Sequence, residues 1–283
     1  MVDGIIFDLG MNNGDDTDFY LKKGFRVVAV EANPELCTRS RQRFAAQIAA
    51  RQLHVVNAAV AATAGELELF VNEDVSGWST ANPAWLQERR RQRTRTRTVT
   101  VQAITLHEIV REHGLPYYLK ADIQGAEIAC LQALLEMDFR PQYVSISAGS
   151  DVLRKGAIRH VRAQLQLLSK IGYNRFQIVA QQDTRLQKCP WPAREGVYAD
   201  HTFSHGSSGL FGRELPGRWI DADAALREHR RIAWSYRLAG HSRSPAGWLT
   251  RIPGEQIKFG LDRLFWRGLG WYDTHATRSD ENP

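Results

Sequence analysis

The sequence predicts an α/β protein built on a doubly wound, mostly parallel sheet with helices on both faces. Short apolar runs alternate with amphipathic helical stretches from residue 5 to residue 180, as in repeated strand–helix–strand units. The runs are almost continuously apolar, which is typical of strands buried on both faces. The first run leads into a loop that carries Gly10 and Gly14, and this spacing indicates a tight turn into a helix N-terminus.

Each element follows from a local pattern of apolar residues and helix-end signals. Gly24, Gly114 and Gly172 fit the ends of helices, and Thr105 fits a helix start. The predicted strands are residues 5–8, 27–30, 53–60, 117–123, 143–147 and 175–180, with one more expected near 197–203. The predicted helices are residues 15–23, 34–50, 106–113, 126–137 and 156–170.

Other segments lie outside this alternation. Residues 66–71 and 93–101 alternate strictly, which indicates strands with one wet face. After residue 205 the pattern changes to a loop, a basic helix capped by Asp221 and a second helical stretch near 255–268. We therefore expect one domain over residues 1–205 and a helical extension over residues 206–283, which packs on that domain or on a partner subunit.

Composition limits the class of protein. With 43% hydrophobic and 24% charged residues, the chain resembles an ordinary soluble globular protein, and no apolar run approaches the roughly 18 residues of a membrane span. No signal peptide is visible, because the first strand begins almost at once. Cys37, Cys130 and Cys189 are an odd, scattered set, which favours a reducing, cytoplasmic location over a disulfide framework or a metal site.

The loop after the first strand restricts the ligand. It lacks the Gly-x-Gly-x-x-Gly fingerprint of dinucleotide sites and the Lys-Ser/Thr of a phosphate-binding loop. Asp8, Asp15 and Asp16 would repel a pyrophosphate but suit S-adenosylmethionine, which carries an amino group and a positive sulfur. Glu31 ends the second strand about 20 residues later, where a ribose diol is held in such sheets. The alternative is an ordinary turn with surface acids.

Four stretches together resemble the FkbM-type methyltransferases, a branch of the class I S-adenosylmethionine-dependent enzymes. They are Phe7–Thr17, Val30–Pro34, Asn57–Val60 and Leu119–Glu127, the last containing a Lys-x-Asp-x-x-Gly-x-Glu signature. The resemblance implies a seven-stranded Rossmann-like sheet of order 3-2-1-4-5-7-6 with strand 7 antiparallel. It also implies O-methylation of a small-molecule hydroxyl, commonly on a sugar, a glycan or a natural product.

The same resemblance implies site residues. The cofactor would contact Asp8, Gly10, Asn12, Asn13, Gly14, Thr17, Glu31, Asn57 and Asp122. Within this set the first loop would hold the methionine part, Glu31 the ribose diol and Asn57 the adenine, while Asp122 would lie beside the reacting methyl group. The chain departs from the family at Ala32, Gln124 and Ser147, and Ser147 stands where relatives often carry an acid.

An alcohol acceptor benefits from a base within hydrogen-bond reach. Asp122 is the first candidate, Lys120 lies on the same strand face, and His205 or His201 flanks the loop that follows residue 203. The competing interpretations are structural: a strand-end acid, an ion pair and ordinary surface histidines. No set of His, Asp and Glu has a firm metal spacing, so no metal is predicted.

Two other functions remain open. The net charge of +6 comes from six arginines between Arg89 and Arg97, which would suit a nucleic-acid methyltransferase or an anionic glycan acceptor, but which also fit a solvated strand face. The run lacks aromatic residues for base stacking, so nucleic acid is disfavoured. The other alternative is a non-catalytic cofactor-binding protein. The basic C-terminal region would also allow a homo-oligomer.

Overall fold

A computed structural model describes residues 2–91, 94–148, 157–239 and 271–278. The main sheet contains β1 (Ile5–Leu9), β2 (Arg26–Glu31), β3 (Leu53–Asn57), β7 (Tyr118–Ala121), β8 (Tyr143–Ser147), β9 (Arg175–Ala180) and β10 (Tyr272–Thr277). A small sheet contains β4 (Ala59–Val60), β5 (Gly65–Asn72) and β6 (Thr96–Ile104). The helices are α1 (Asp15–Lys22), α2 (Pro34–Arg43), α3 (Ala45–Ala49), α4 (Pro83–Arg91), α5 (Leu106–His113), α6 (Glu127–Glu136), α7 (Ala157–Ile171) and α8 (Ala222–Ala239).

The order of the main sheet is β3-β2-β1-β7-β8-β10-β9. Pairing is parallel from β3 to β8, and β10 runs antiparallel to both of its neighbours. Separate apolar clusters cover the two faces of this sheet. The structure therefore confirms the predicted class, a doubly wound sheet of order 3-2-1-4-5-7-6 with one antiparallel strand.

The antiparallel strand is not where the sequence placed it, so the prediction of a strand near residues 197–203 is wrong. That segment has no regular structure, and it exposes Val197 and Tyr198. The seventh strand is β10, near the end of the chain, and every residue in it is buried. A strand that lies between two others in a sheet covered on both faces needs side chains that are apolar or hydrogen-bonded. Of the two segments, residues 272–277 meet that condition and residues 197–203 do not.

The prediction of one long third strand also needs correction. Residues 53–57 pair with β2, but Ala59 and Val60 pair with β6 in the small sheet. The chain changes sheets at Ala58, whose N–H donates to the Glu31 carbonyl at 3.1 Å. A run of apolar residues does not specify which neighbour it pairs with, so the switch has no signal in the pattern.

Helix ends agree closely with the sequence signals. Thr105 and Glu108 form a reciprocal capping box at the start of α5, and Asp221 Oδ1 accepts a hydrogen bond from the Ala224 N–H at 2.7 Å before α8. The predicted helix over residues 34–50 is divided at Phe44 into α2 and α3. The helix predicted near residues 255–268 lies outside the described residues. None of the described helices has the length and apolar character needed to cross a bilayer.

Candidate active site

A cavity of about 460 Å³ lies at the carboxyl ends of β1, β2 and β7. The loop after β1 and the Glu31 side chain form one wall, and the loop after β7 forms another. The small sheet and residues 76–83 cover the opening side. Ligands of open α/β sheets bind in this crevice, because the strand order reverses there.

The loop after β1 is shaped by a glycine that no other residue can replace. Gly10 has φ +84°, and its N–H donates to the Val30 carbonyl at 2.8 Å. A Cβ on Gly10 would lie 2.0 Å from the Asp122 carbonyl oxygen. The loops after β1 and β7 therefore approach so closely that only a residue without a side chain fits between them.

Glu31 is held rigidly at the cavity wall. Its Oε2 accepts a hydrogen bond from the Asn12 N–H and its Oε1 accepts one from the Asn33 N–H, both at 2.8 Å. Burial raises the pKa of Glu31, and the two backbone donors oppose that shift. Each carboxylate oxygen keeps lone-pair capacity for a second donor, which suits a ligand with two adjacent hydroxyl groups.

Asn12 offers an unused acceptor beside Glu31. Its Oδ1 is buried and has no hydrogen-bond partner among the described residues, and Asn12 lines the cavity. A buried acceptor without a donor is unfavourable unless a ligand or water supplies one. Asn13, by contrast, is exposed and donates from its side chain to Asp15 Oδ2 at 2.9 Å. The two neighbouring asparagines thus face different surroundings.

Three of the predicted residues form an ion cluster behind the loop and do not line the cavity. Asp8 is fully buried, and it accepts hydrogen bonds from Thr17 Oγ1 at 2.6 Å and from Lys120 Nζ at 2.9 Å. Lys120 Nζ also lies 3.3 Å from Asp16 Oδ2. The binding role of Asp8 and Thr17 and the catalytic role of Lys120 stay predictions.

Of the acids that the sequence indicated, two reach the cavity and the three loop acids do not. Glu31 and Asp122 line it, whereas Asp15 pairs with Arg43 at 3.0 Å and Asp16 accepts a hydrogen bond from the Ser208 N–H at 2.9 Å. None of the described residues that line the cavity is Lys, Arg or His. The described wall therefore carries two acids and no cation, although the charge of Lys120 behind the loop acts on both acids.

Asn57 and its neighbours build the apolar end of the cavity. The Asn57 Nδ2 donates to the Glu31 carbonyl at 3.0 Å, which joins the ends of β2 and β3. Asn57 itself does not line the cavity, but Ala58, Ala59 and Val60 do. The predicted role of Asn57 in binding adenine stays a prediction.

The Lys-x-Asp-x-x-Gly-x-Glu signature organises the loop after β7. Asp122 Oδ1 accepts a hydrogen bond from Gln124 Nε2 at 2.8 Å. The Glu127 carboxylate accepts the N–H groups of Ile123 and Gly125 at 3.1 and 2.9 Å, and burial raises its pKa to about 7. Both Glu127 oxygens are thus used to fix the loop, which leaves Asp122 at the cavity wall.

The histidine candidates lie away from the cavity. His205 is exposed, and its ring centroid is 6.1 Å from that of Trp271. His201 packs between Phe19 and Phe203. Neither histidine lines the cavity. The structure therefore does not bring His205 together with Asp122, and Asp122 alone of the three predicted catalytic residues borders the cavity.

The sequence indicated no role for Asp273, which is a buried acid on β10. Asp273 pairs in register with Ser147 of β8, and its Oδ1 accepts a hydrogen bond from Gln181 Nε2 at 2.9 Å. Burial, and then the Asp122 carboxylate, raise its pKa to about 7. Asp273 does not line the cavity, and correct placement of the seventh strand in the sequence would have shown that this acid lies beside Ser147.

The arginine run is largely paired where the structure describes it. Arg95 forms an ion pair with Asp74 at 2.7 Å, and Arg97 forms one with Glu35 at 2.6 Å. These acids lie on neighbouring segments, so the two guanidinium groups belong to a mixed-charge surface. Trp78 and Trp85 do not line the cavity, and Trp85 is buried.

The strand order and the acid-lined crevice at the ends of β1, β2 and β7 define a class I, Rossmann-like methyltransferase fold. A family described as "Methyltransferase FkbM domain" matches residues 8–174. The chain therefore belongs to the FkbM methyltransferase family. No curated protein matches the chain.

Several solved structures are similar to the chain. A methyltransferase FkbM from Methylobacillus flagellatus KT is 17% identical with a TM-score of 0.38, and the match covers 62% of this chain and 39% of that one. A SAM-dependent methyltransferase from Thiobacillus denitrificans, solved with S-adenosyl-L-homocysteine, is 9% identical with a TM-score of 0.37, covering 97% and 85%. One from Geobacter sulfurreducens with the same ligand is 8% identical with a TM-score of 0.35, covering 97% and 84%. The chain thus spans well under half of the Methylobacillus protein.

Proposed function

We propose that this chain transfers a methyl group from S-adenosylmethionine to a hydroxyl group of a small molecule, such as a sugar, a glycan or a natural product. The observation that carries the proposal is the cavity wall, which presents Glu31 and Asp122 and no cationic side chain among its described residues. A sulfonium and an ammonium group are favoured there, and a pyrophosphate is not. The volume of about 460 Å³ is that of a small-molecule site.

The residues present fit this cofactor at three points. Glu31 would accept the two ribose hydroxyls, and Ala58–Val60 would face the adenine. The unpartnered Asn12 Oδ1 would accept from the ammonium group. When bound, S-adenosylmethionine supplies an electrophilic methyl group on a positive sulfur. The chain's own contribution is to hold donor and acceptor in line and to exclude water.

Asp122 is the residue that we assign to the acceptor hydroxyl. It borders the cavity, and Gln124 orients one of its oxygens. The other carboxylate oxygen is then available to accept the proton that the hydroxyl loses as the methyl group is transferred. Glu127 serves this role indirectly, because it fixes the backbone of the loop that carries Asp122.

Glu31→Gln should weaken S-adenosylmethionine binding by roughly 10- to 100-fold, because a carboxylate that accepts two hydroxyl donors becomes a neutral amide. The amide also places an NH₂ group against the N–H of Asn12 or Asn33. Isothermal titration calorimetry with S-adenosylmethionine, and with NAD as the competing ligand class, measures this. Glu35→Gln is the matched control, because Glu35 is an exposed acid paired with Arg97. Unchanged affinity in Glu31→Gln, or tighter binding of NAD, contradicts the site.

Asp122→Asn should lower the rate of methyl transfer by about 10²- to 10⁴-fold with little change in cofactor affinity, since it removes the proton acceptor and keeps the shape. The measurement is product formation by mass spectrometry after incubation with cofactor and a panel of hydroxyl acceptors. Asp183→Asn, at an exposed acid, serves as the control. A rate that is the same in Asp122→Asn and in the unmodified chain would remove Asp122 from the reaction.

The proposal also includes the location of the chain and its self-association. The three free thiols, Cys37, Cys130 and Cys189, are consistent with a reducing cytoplasmic location. Self-association through the C-terminal region would be tested by sedimentation of the purified chain. The ion pairs of Arg95 and Arg97 favour a small acceptor over a nucleic acid, because they leave less charge for phosphate groups.

A further inference from the structure

The edge of the main sheet carries a second cluster of chemical interest, at the end opposite to the cavity. β3 is an edge strand, and His54 lies near its amino end. His113 is the last residue of α5, and Glu112 precedes it. The His54 and His113 ring centroids are 4.5 Å apart. Two elements that are distant in sequence thus bring two imidazoles and a carboxylate together.

The ligating atoms of these residues converge. One atom from each of His54, Glu112 and His113 lies within 4.8 Å of the other two. The His113 Nε2 is buried and has no hydrogen-bond partner among the described residues, and the Glu112 Oε1 is 3.7 Å away. A buried ring nitrogen without a partner is a rare arrangement that an ion would satisfy.

We propose that His54, Glu112 and His113 bind a Zn²⁺ ion, with water at the fourth position. Two imidazoles and one carboxylate are a ligand set that zinc accepts, and hard cations such as Mg²⁺ disfavour the imidazoles. Tetrahedral Zn–N bonds of about 2.0–2.1 Å require ligand atoms roughly 3.4 Å apart. The carboxylate of Glu112 and the ring of His54 are exposed, so rotation of these side chains closes the difference.

The ion would join the edge strand to the helix that follows the small sheet. The chain between residues 54 and 113 contains β4, β5, β6 and α4. A shared ion would therefore close a loop that contains the small sheet and residues 76–83, which cover the cavity. Closing a long loop stabilises the folded state relative to the unfolded chain. This site is separate from the methyl-transfer site, and its role is to hold the cover in place.

Zinc binding to the full-length, tag-free chain tests the proposal. After removal of bound metal with a chelator, titration calorimetry with Zn²⁺ should give one ion per chain. The melting temperature should rise by about 5 °C or more at a Zn²⁺ concentration 100-fold above Kd. Replacement of zinc by Co²⁺ should give the intense visible absorption of a four-coordinate site. These readouts do not depend on methyl transfer, so they remain informative if the proposed activity fails.

His54→Gln and Glu112→Gln should abolish or strongly weaken the one-to-one binding, and both positions are exposed, so folding is preserved. His107→Gln is the matched control, because His107 lies on the same helix beside Glu136 at 4.0 Å but has no third ligand among the described residues. Binding that is lost in the first two variants and kept in the control supports the site. Absence of stoichiometric binding, or binding that persists in His54→Gln, overturns it.

Discussion

Lys120→Met should lower the free energy of unfolding by about 3–5 kcal/mol, because it leaves two buried carboxylates without their cation. Lys120 Nζ lies 2.9 Å from Asp8 Oδ1 and 3.3 Å from Asp16 Oδ2, and its side chain is only 5% exposed. Burial disfavours the charged amine, but Asp8 and Asp16 prevail and raise the pKa of Lys120 well above its ordinary value. Urea denaturation at pH 7 measures the loss.

The exposed ion pair of Lys22 and Asp18 provides the matched control. Its atoms are 2.7 Å apart, but Lys22 is 50% exposed, so Lys22→Met should change stability by less than about 1 kcal/mol. Adding Asp16→Asn to Lys120→Met should recover part of the loss, because one of the uncompensated charges is removed. A loss below about 1 kcal/mol in Lys120→Met would show that the cluster contributes nothing beyond a surface pair.

This cluster also shows what the sequence could predict. The spacing of Lys120 and Asp122 placed both residues on one face of a strand, and the apolar run before Asp8 placed that acid at the end of another. That these two strands are neighbours was implied by the family resemblance and not by local pattern. Local patterns also did not predict that Asp8 and Lys120 would neutralise each other beneath the cavity, because that depends on how α1 packs.

The choice of cavity acids shows the same limit. The sequence indicated an acidic site around the first loop, and the structure has an acidic cavity there. Glu31 ends the second strand and lines the cavity, and its role in binding the ribose diol stays a prediction. Asp15 and Asp16 lie in the first turn of a helix, and their direction depends on the segment at Ser204 and Ser208, which is distant in sequence.

The zinc-site candidate could not be found from the sequence for a related reason. His54 and His113 belong to different elements, and no spacing rule connects an edge strand to the end of α5. Gly114 marks the end of α5 in the sequence, but no local signal places that end beside His54.

The seventh strand, β10, carries the buried acid Asp273 into the main sheet. Asp273 is 1% exposed, its pKa is about 7 because of burial and then Asp122, and an unfolded aspartate has a pKa near 3.8. The folded state thus binds more protons than the unfolded state between those two values. The contribution of Asp273 to the free energy of unfolding therefore falls as pH rises from about 4 to about 7. That contribution is fully present only at low pH.

Asp273→Asn should therefore become more stable relative to the unmodified chain as pH rises, by about 3 kcal/mol between pH 5 and pH 8. Asparagine keeps an oxygen for the Gln181 Nε2 donor and carries no charge to bury. Urea denaturation of both chains at the two pH values measures the difference, and other titrating groups cancel in it. Asp200→Asn, at an exposed acid, should give no such change. A difference that is equal at pH 5 and pH 8 would mean that Asp273 ionises in the folded chain as readily as in water.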